Sequence, residues 1–241
     1  MWNPQHLGVR PLLGVEPLNW FVLNRIMPSR YRIREFEEQG YYHVFHRGIE
    51  QKKVFLDNQD YRMFLYYLKV YLQDPKDLLN KYPQLPLRLQ AKNLTNQINL
   101  FAYCLMPNHF HLLLQQSTED AISKFMKQLL NAYTFYFNKK YERTGAIFEG
   151  RYKATRVLSD DLLVHISRYI HLNPTVAKLT NDPRDYEWSS QRDYLMNKNK
   201  SIVNTKTVLS FFKTINEYQK FVEDQIEYAK ELAKIKHLTI D

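Results

Sequence analysis

The sequence predicts an α+β sandwich in which helices pack on an antiparallel sheet. Periodic patterns follow the chain in the order strand, helix, hairpin, helix, strand, helix. Apolar residues make up 44% of the 241 residues, which is ample for one hydrophobic core with an appendage or for two small domains. No internal repeat is evident, so repeat architectures are excluded.

The first predicted strand covers residues 41–48, where "YYHVFHRG" is β-branched and aromatic and ends at a glycine. A helix is predicted over residues 57–72, because its apolar residues recur at helical spacing behind the N-cap Asp57. Prolines punctuate residues 74–90, which predicts an irregular excursion with short helical pieces.

A hairpin is predicted where the apolar runs 98–106 and 109–115 flank a Pro-Asn turn. The helix that follows, residues 121–142, has a continuous apolar stripe. A glycine-bearing loop then leads into a strand near residues 152–158.

The last core helix is predicted over residues 159–174, with Ser159 as N-cap, acidic residues in the first turn and Pro174 as a stop. A polar linker (196–201) precedes a tail with a helical pattern over residues 216–235.

These elements suggest three regions. Residues 1–26 lack a clear period, and Met27 looks like a fresh start, so we expect a poorly ordered extension that arises from an upstream start codon. Residues 27–195 form the predicted main domain, and residues 196–241 form a helical C-terminal tail.

The charge balance favours a polyanionic partner, since the net charge is +9 and the isoelectric point is near 9.4. A merely soluble basic protein remains the alternative. The single cysteine, Cys104, excludes an internal disulfide. No signal pattern and no run of ~18 apolar residues occurs, so we expect a cytoplasmic, nucleoid-associated protein without a membrane partner.

Two histidines one residue apart, His109 and His111 in "MPNHFHLLLQ", lie on a predicted strand. Side chains alternate across a strand, so both imidazoles project from one face and can converge on one cation. The alternative is one exposed and one hydrogen-bonded core histidine, because a metal site needs at least a third ligand.

That third ligand has a candidate on the helix 159–174. Leu162, Ile166, Tyr169 and Asn173 form one stripe, which begins with core residues. Residues four apart stack on adjacent turns, so a phenol and a carboxamide face the same cleft. Asn173 offers a carbonyl oxygen and Tyr169 a nucleophile. Taken alone, Tyr169 is better explained as an edge-of-core residue, and the helix stop at Asn173-Pro174 does not exclude a ligand role for Asn173.

Four motifs, "MPNHFHLLL", "SRYIHLNP", "GAIFEGRYK" and "DYEWSS", resemble those of the single-tyrosine HUH transposases. The resemblance runs from about Tyr41 to Leu195 and is closest to the subgroup associated with repetitive extragenic palindromes. It implies a ferredoxin-like HUH nuclease fold, a Mg²⁺ or Mn²⁺ ion held by His109, His111 and Asn173, and Tyr169 as the nucleophile. Some relatives have glutamine in place of Asn173.

Three other tyrosines are rivals for the nucleophile. Tyr133 lies on an apolar stripe and is predicted to be core, while Tyr136 and Tyr141 lack an amide partner followed by a helix stop.

A basic segment with interleaved aromatic residues is predicted to bind single-stranded DNA, since cations follow phosphates and aromatic rings stack on bases. Its members, with one residue of the first strand, are Arg47, Lys139, Lys140, Arg143, Arg151, Tyr152, Lys153 and Arg156. A solvated basic face is the alternative. Of the remaining histidines, His43 and His46 are predicted to be structural or DNA-facing, and His165 and His171 to be exposed.

The predicted function is metal-dependent nicking and rejoining of single-stranded or hairpin DNA, either by one chain or by a homodimer. Two alternatives remain open. One is a domesticated protein that binds hairpin DNA without cleaving it, and the other is a metal-dependent hydrolase that uses water.

Overall fold

A computed structural model describes residues 36–196 and 201–230, so the predicted N-terminal extension lies outside the described residues. Its strands are β1 (Tyr41–Arg47), β2 (Ile98–Met106), β3 (His109–Gln116) and β4 (Lys153–Val157). Its helices are α1 (Asn58–Leu72), α2 (Pro75–Lys81), α3 (Leu87–Gln90), α4 (Ala121–Lys140), α5 (Asp160–Val176), α6 (Gln191–Met196), α7 (Thr205–Leu209) and α8 (Ile215–Glu223). Short 3₁₀ turns occupy Ile49–Gln51 and Pro183–Asp185.

The four strands form one antiparallel sheet in the order β2-β3-β1-β4. With α1 between β1 and β2, and α4 between β3 and β4, this is the split βαβ connectivity of ferredoxin-like folds. The predicted α+β fold class is confirmed.

The two faces of the sheet carry different helices. On one face, Phe110 of β3 packs against Phe64 of α1, with ring centroids 4.9 Å apart, and α4 completes this layer. Tyr133 of α4 is fully buried there, as predicted for a core residue. The other face contacts α5, which packs mainly over β2 and β3.

The helices begin where the sequence predicts. Asp57 and Asp60 form a capping box at the start of α1, and the Ser159 hydroxyl accepts from the backbone N–H of Leu162 in α5. The predicted end of α5 is wrong by about half a turn, because Pro174 lies inside its last turn and the helix continues to Val176.

Segments from the C-terminal part cover the outer edge of β2. The backbone N–H of Leu105 donates to Trp188 (2.9 Å), and that of Asn204 donates to Leu100 (2.7 Å). Such cover protects an edge strand from pairing with another chain. Helices α7 and α8 lie within the region predicted to be a separate tail, and Tyr218 of α8 is fully buried in the common core.

None of the described helices is long and apolar enough to cross a membrane.

Candidate active site

The histidine pair lies on the sheet face that α5 covers. Pairing in register between β1 and β3 places Phe45 opposite His111 and Arg47 opposite His109. Alternation along β1 adds His43 to the same face. His111 is 5% exposed and His109 is half-buried, so both imidazoles line one partly enclosed floor.

Hydrogen bonds define the protonation of His109. Its Nδ1 lies 2.7 Å from Oδ1 of Asn108, whose own Nδ2 donates to the carbonyl of Gln51 (3.2 Å). An amide oxygen only accepts, so Nδ1 of His109 carries the proton and Nε2 keeps its lone pair.

The His111 ring is held from its Nδ1 side, where Nε2 of His43 lies 2.8 Å away. Its Nε2 is buried and has no hydrogen-bond partner among the described residues. A buried polar atom without a partner is uncommon in a folded protein and indicates a missing ligand or water.

Both rings are neutral. Burial lowers the pKa of His109 to about 4, with the positive charge of Arg47 as a further cause. Burial lowers the pKa of His111 well below its ordinary value, and the neighbouring His109, His43 and Arg47 add to this effect. Neutral imidazoles with free Nε2 lone pairs are the form that binds a divalent cation.

Tyr169 of α5 stands edge-on to the histidines. Its ring centroid lies 5.6 Å from that of His111 and 5.8 Å from that of His43, at interplanar angles of 86° and 79°. Burial raises the pKa of Tyr169 to about 12, and a side-chain hydrogen bond with Asn173 opposes this rise. The phenol is therefore protonated at neutral pH, and its reaction with a phosphate requires the phosphate to be polarised.

Asn173 lies one turn after Tyr169. Its Nδ2 donates to the backbone carbonyl of Tyr169 (2.8 Å), which orients the carboxamide on the helix face that carries the phenol. Within residues 36–196 and 201–230, no three His, Cys, Asp or Glu side chains are arranged to hold a metal ion. A cation at the histidine pair therefore needs an amide oxygen such as that of Asn173, or ligands from the substrate, and the residues present fit that requirement.

Residues 79–173 match the family model of IS200-like transposases. The resemblance read from the sequence motifs is confirmed by this match. The IS200-like segment covers somewhat under half of the chain, and it contains the histidine pair, Tyr169 and Asn173. "DYEWSS", at residues 185–190, lies beyond it.

Two solved structures resemble the chain at low sequence identity. A REP-associated tyrosine transposase bound to a REP hairpin is 16% identical, with 73% of this chain and 90% of that chain covered and a TM-score of 0.48. A tRNA(His) guanylyltransferase from Saccharomyces cerevisiae is 9% identical, with coverage of 87% and 85% and a TM-score of 0.35. Both TM-scores lie below 0.5, so the fold assignment rests on the strand order. No curated protein sequence matches the chain significantly.

The predicted DNA-binding residues fall into two groups. Arg47 is exposed on the histidine face, and Lys153, which pairs with Phe45, is exposed beside it. The side chains of Lys139, Arg143 and Arg151 are also exposed, whereas Tyr152 is half-buried with its hydroxyl 3.4 Å from that of Ser123.

The second group consists of cations that acidic side chains already hold. Lys140 forms ion pairs with Asp57 (2.7 Å) and the buried Asp60 (2.8 Å), and Arg156 pairs with Glu37. Their charges are partly neutralised within the chain, which makes them weaker candidates for phosphate contacts.

The rival tyrosines lie away from the histidines. The hydroxyls of Tyr136 and Tyr141 both donate to Asp60, at 3.0 and 2.8 Å, and the Tyr133 hydroxyl donates to the carbonyl of Val54 at 2.6 Å.

Two histidines predicted to be exposed are buried. His165 is 3% exposed and hydrogen-bonds to Arg168, and His171 is fully buried between Tyr218 and Ser190, at 2.8 Å from each hydroxyl. The prediction is wrong because two aromatic residues of α8 pack on these histidines, Phe221 on His165 and Tyr218 on His171.

Two neighbours of the site are not predicted from the sequence to belong to it: His43 is predicted to be structural or DNA-facing, and Phe45 is not singled out. His43 bonds to His111, and the half-buried Phe45 stacks beside both rings, with centroids 5.2 Å from His43 and 5.8 Å from His111. The alternation of His43, Phe45 and Arg47 places all three on one face of β1. Together with the pairing of β1 and β3, it would have predicted that this face is shared with His109 and His111.

Proposed function

We propose that the chain nicks and rejoins single-stranded, hairpin-forming DNA through a covalent 5′-phosphotyrosine at Tyr169. The observation that carries the proposal is the edge-on position of the Tyr169 ring, 5.6 Å from the ring of His111, on the face that also carries His109. The IS200-like match supports the reaction class, and the motifs of the palindrome-associated subgroup support a hairpin substrate.

In the proposed reaction, the Tyr169 oxygen attacks the phosphorus of a backbone phosphodiester and loses its proton. The bond from phosphorus to the 3′-oxygen breaks, and that oxygen takes up a proton to become a free 3′-hydroxyl. The strand remains attached through its 5′-phosphate, so a second 3′-hydroxyl can reverse the step without an activated water.

The proposed cation ligands are His109, His111 and Asn173. A Mg²⁺ or Mn²⁺ ion there would neutralise charge on a non-bridging phosphate oxygen. Arg47 and Lys153, both exposed on this side of the sheet, would bind the flanking phosphates.

The test uses a library of hairpin-bearing single-stranded oligonucleotides with a fluorophore at the 3′ end, because the covalent product retains the 3′ fragment. With Mn²⁺ or Mg²⁺, we expect the wild-type chain to give a labelled protein band on a denaturing gel. Tyr169→Phe should abolish the band, whereas Tyr141→Phe, which changes a rival tyrosine away from the site, should retain it. Chelation with EDTA should also remove the band.

The alternatives predict different gels. A water-using hydrolase would cleave the DNA without a protein adduct, and a non-cleaving DNA-binding protein would shift the hairpin with equal affinity in the wild type and in Tyr169→Phe. An adduct that survives Tyr169→Phe would show that the nucleophile is another residue.

A further inference from the structure

We propose that His43 is a positioning residue: it accepts a hydrogen bond from Nδ1–H of His111 and thereby keeps Nε2 of His111 unprotonated as the ring's ligand atom. The use of Nε2 rests on the proposed function, whereas the protonation pattern itself does not.

The contact is close and rigid. Nε2 of His43 lies 2.8 Å from Nδ1 of His111, and the two rings stack at a centroid distance of 5.0 Å and an angle of 16°. Both residues belong to neighbouring, paired strands, and His43 is fully buried. The sheet itself therefore fixes the relative position of the two imidazoles.

One proton lies between the two nitrogens. The nitrogen that carries it determines whether Nε2 of His111 has a lone pair for a cation. If His43 donated, Nε2 of His111 would carry a buried N–H without an acceptor among the described residues. If His111 donates, the same atom holds only an unfilled lone pair. An orphaned buried N–H is the rarer of the two in folded proteins, so the structure favours His111 as the donor.

His109 has the corresponding protonation pattern for a separate reason. Its Nδ1 is 2.7 Å from the Asn108 amide oxygen, which requires a proton on Nδ1. With His43 as acceptor for His111, both histidines of the pair present Nε2 in the same chemical form. Asn108 and His43 thus have the same role, one from the hairpin turn and one from β1.

The first readout is the tautomer of His111, measured by long-range ¹H–¹⁵N NMR on protein with ¹⁵N-labelled histidine, without metal or DNA, near neutral pH. We expect the Nδ1–H form in the wild type. His43→Gln should keep it, because the glutamine amide oxygen can still accept, whereas His43→Phe should lose it. His46→Gln is the matched control: His46 is another buried β1 histidine, 4% exposed, but its Nε2 lies 3.2 Å from the Glu149 carbonyl on the opposite sheet face.

The second readout is Mn²⁺ binding to the DNA-free chain, followed by electron paramagnetic resonance. Loss of a group that orients a metal-binding histidine weakens affinity by about 10- to 100-fold, and we expect a loss of this size in His43→Phe. His43→Gln should restore most of the affinity, and His46→Gln should leave it unchanged. A purely structural role for His43 would not produce this selective rescue.

An Nε2–H tautomer of His111 in the wild type would overturn the proposal, as would an unchanged Nδ1–H form in His43→Phe. If His43→Phe does not fold, two measurements still test the proposal. They are the tautomer of His111 in the wild type and its tautomer in His43→Gln, where loss of the Nδ1–H form would overturn the proposal. A wild-type chain with the Nδ1–H tautomer but no Mn²⁺ binding would instead contradict the metal-dependent part of the proposed function and leave the role of His43 supported.

Discussion

Two consecutive lysines at the end of α4 differ in their surroundings. Lys140 contacts Asp57 and Asp60, and the Asp60 side chain is completely buried. Lys139 is exposed to solvent. The sequence alone does not distinguish the two lysines. The packing of α1 against α4 makes Lys140 a structural cation and leaves Lys139 as a candidate DNA contact.

The separation can be tested with a matched pair of variants. Lys140→Met removes a hydrogen-bonded charge from buried Asp60, so we expect the free energy of unfolding to fall by about 1–3 kcal/mol with little change in hairpin affinity. Lys139→Met should change stability by less than about 0.5 kcal/mol and should weaken hairpin binding and its salt dependence. Denaturant titration and fluorescence anisotropy at several salt concentrations measure the two effects, and a reversed pattern would refute the assignment.

The sequence predicts the histidine pair, Tyr169 and Asn173 as site candidates, because strand alternation and helical spacing are local properties. It does not predict that His43 bonds to His111, since that contact depends on the pairing of β1 with β3. The burial of His171 likewise cannot be predicted from the local sequence, because its partner Tyr218 lies 47 residues further along the chain.

Helix α5 is packed on two sides. Its sheet side carries Tyr169, and its opposite side carries His171, whose Nδ1 lies 2.8 Å from the hydroxyl of Tyr218 in α8. Arg168 adds a second connection, because its guanidinium lies over the Phe221 ring at 4.0 Å and donates to the Phe221 carbonyl at 3.2 Å. The C-terminal helices therefore hold the helix that carries the proposed nucleophile.

Removal of one hydroxyl should show this connection. Tyr218→Phe leaves Nδ1 of His171 buried without its partner, so we expect a loss of about 1–3 kcal/mol in the free energy of unfolding. Tyr66→Phe, which removes a hydroxyl from a half-buried position of α1, is the control and should be close to neutral. Chemical denaturation of both variants measures the difference, and equal stabilities would mean that α8 does not stabilise α5 through this bond.

Element order was predictable because the strand and helix periods are strong and the caps at Asp57 and Ser159 are clear. The end of α5 was not, since a proline in the last turn removes only the bond to the carbonyl of Ile170 and does not prevent the helix from continuing to Val176. The cover of β2 by residues 188–190 and 203–204 was not predictable either, because it involves single backbone bonds without a periodic signature.

For the whole molecule, buried neutral histidines make stability depend on pH. Burial lowers the pKa of six of them, His43, His46, His109, His111, His165 and His171. Their pKa values are about 3 for His43 and His171 and about 4 for His109 and His165. The unfolded chain therefore binds more protons than the folded one below the ordinary histidine pKa of about 6.5.

The sign of the effect follows directly. Stability falls as pH decreases from about 6.5 toward the folded-state values, by up to about 1.4 kcal/mol per pH unit for each of these histidines. We expect denaturant titrations to show a steep decline between neutral pH and about pH 5, accompanied by proton uptake on unfolding. A stability that stays flat over this range would contradict the buried, neutral state of these rings.

The packing of α5 between the sheet and α8 also has a genetic consequence. Because the helix that carries Tyr169 lies on the sheet of its own chain and is held there by α8, each chain brings its tyrosine and its histidines to one site. A mixture of Tyr169→Phe chains and His109→Ala chains should then form no DNA adduct, even if the protein is a homodimer. Recovery of adduct in the mixture would show that the helix is exchanged between subunits. Complementation between two inactive alleles is therefore not expected. A gene copy with Tyr169→Phe should not restore activity to a strain whose own copy carries His109→Ala.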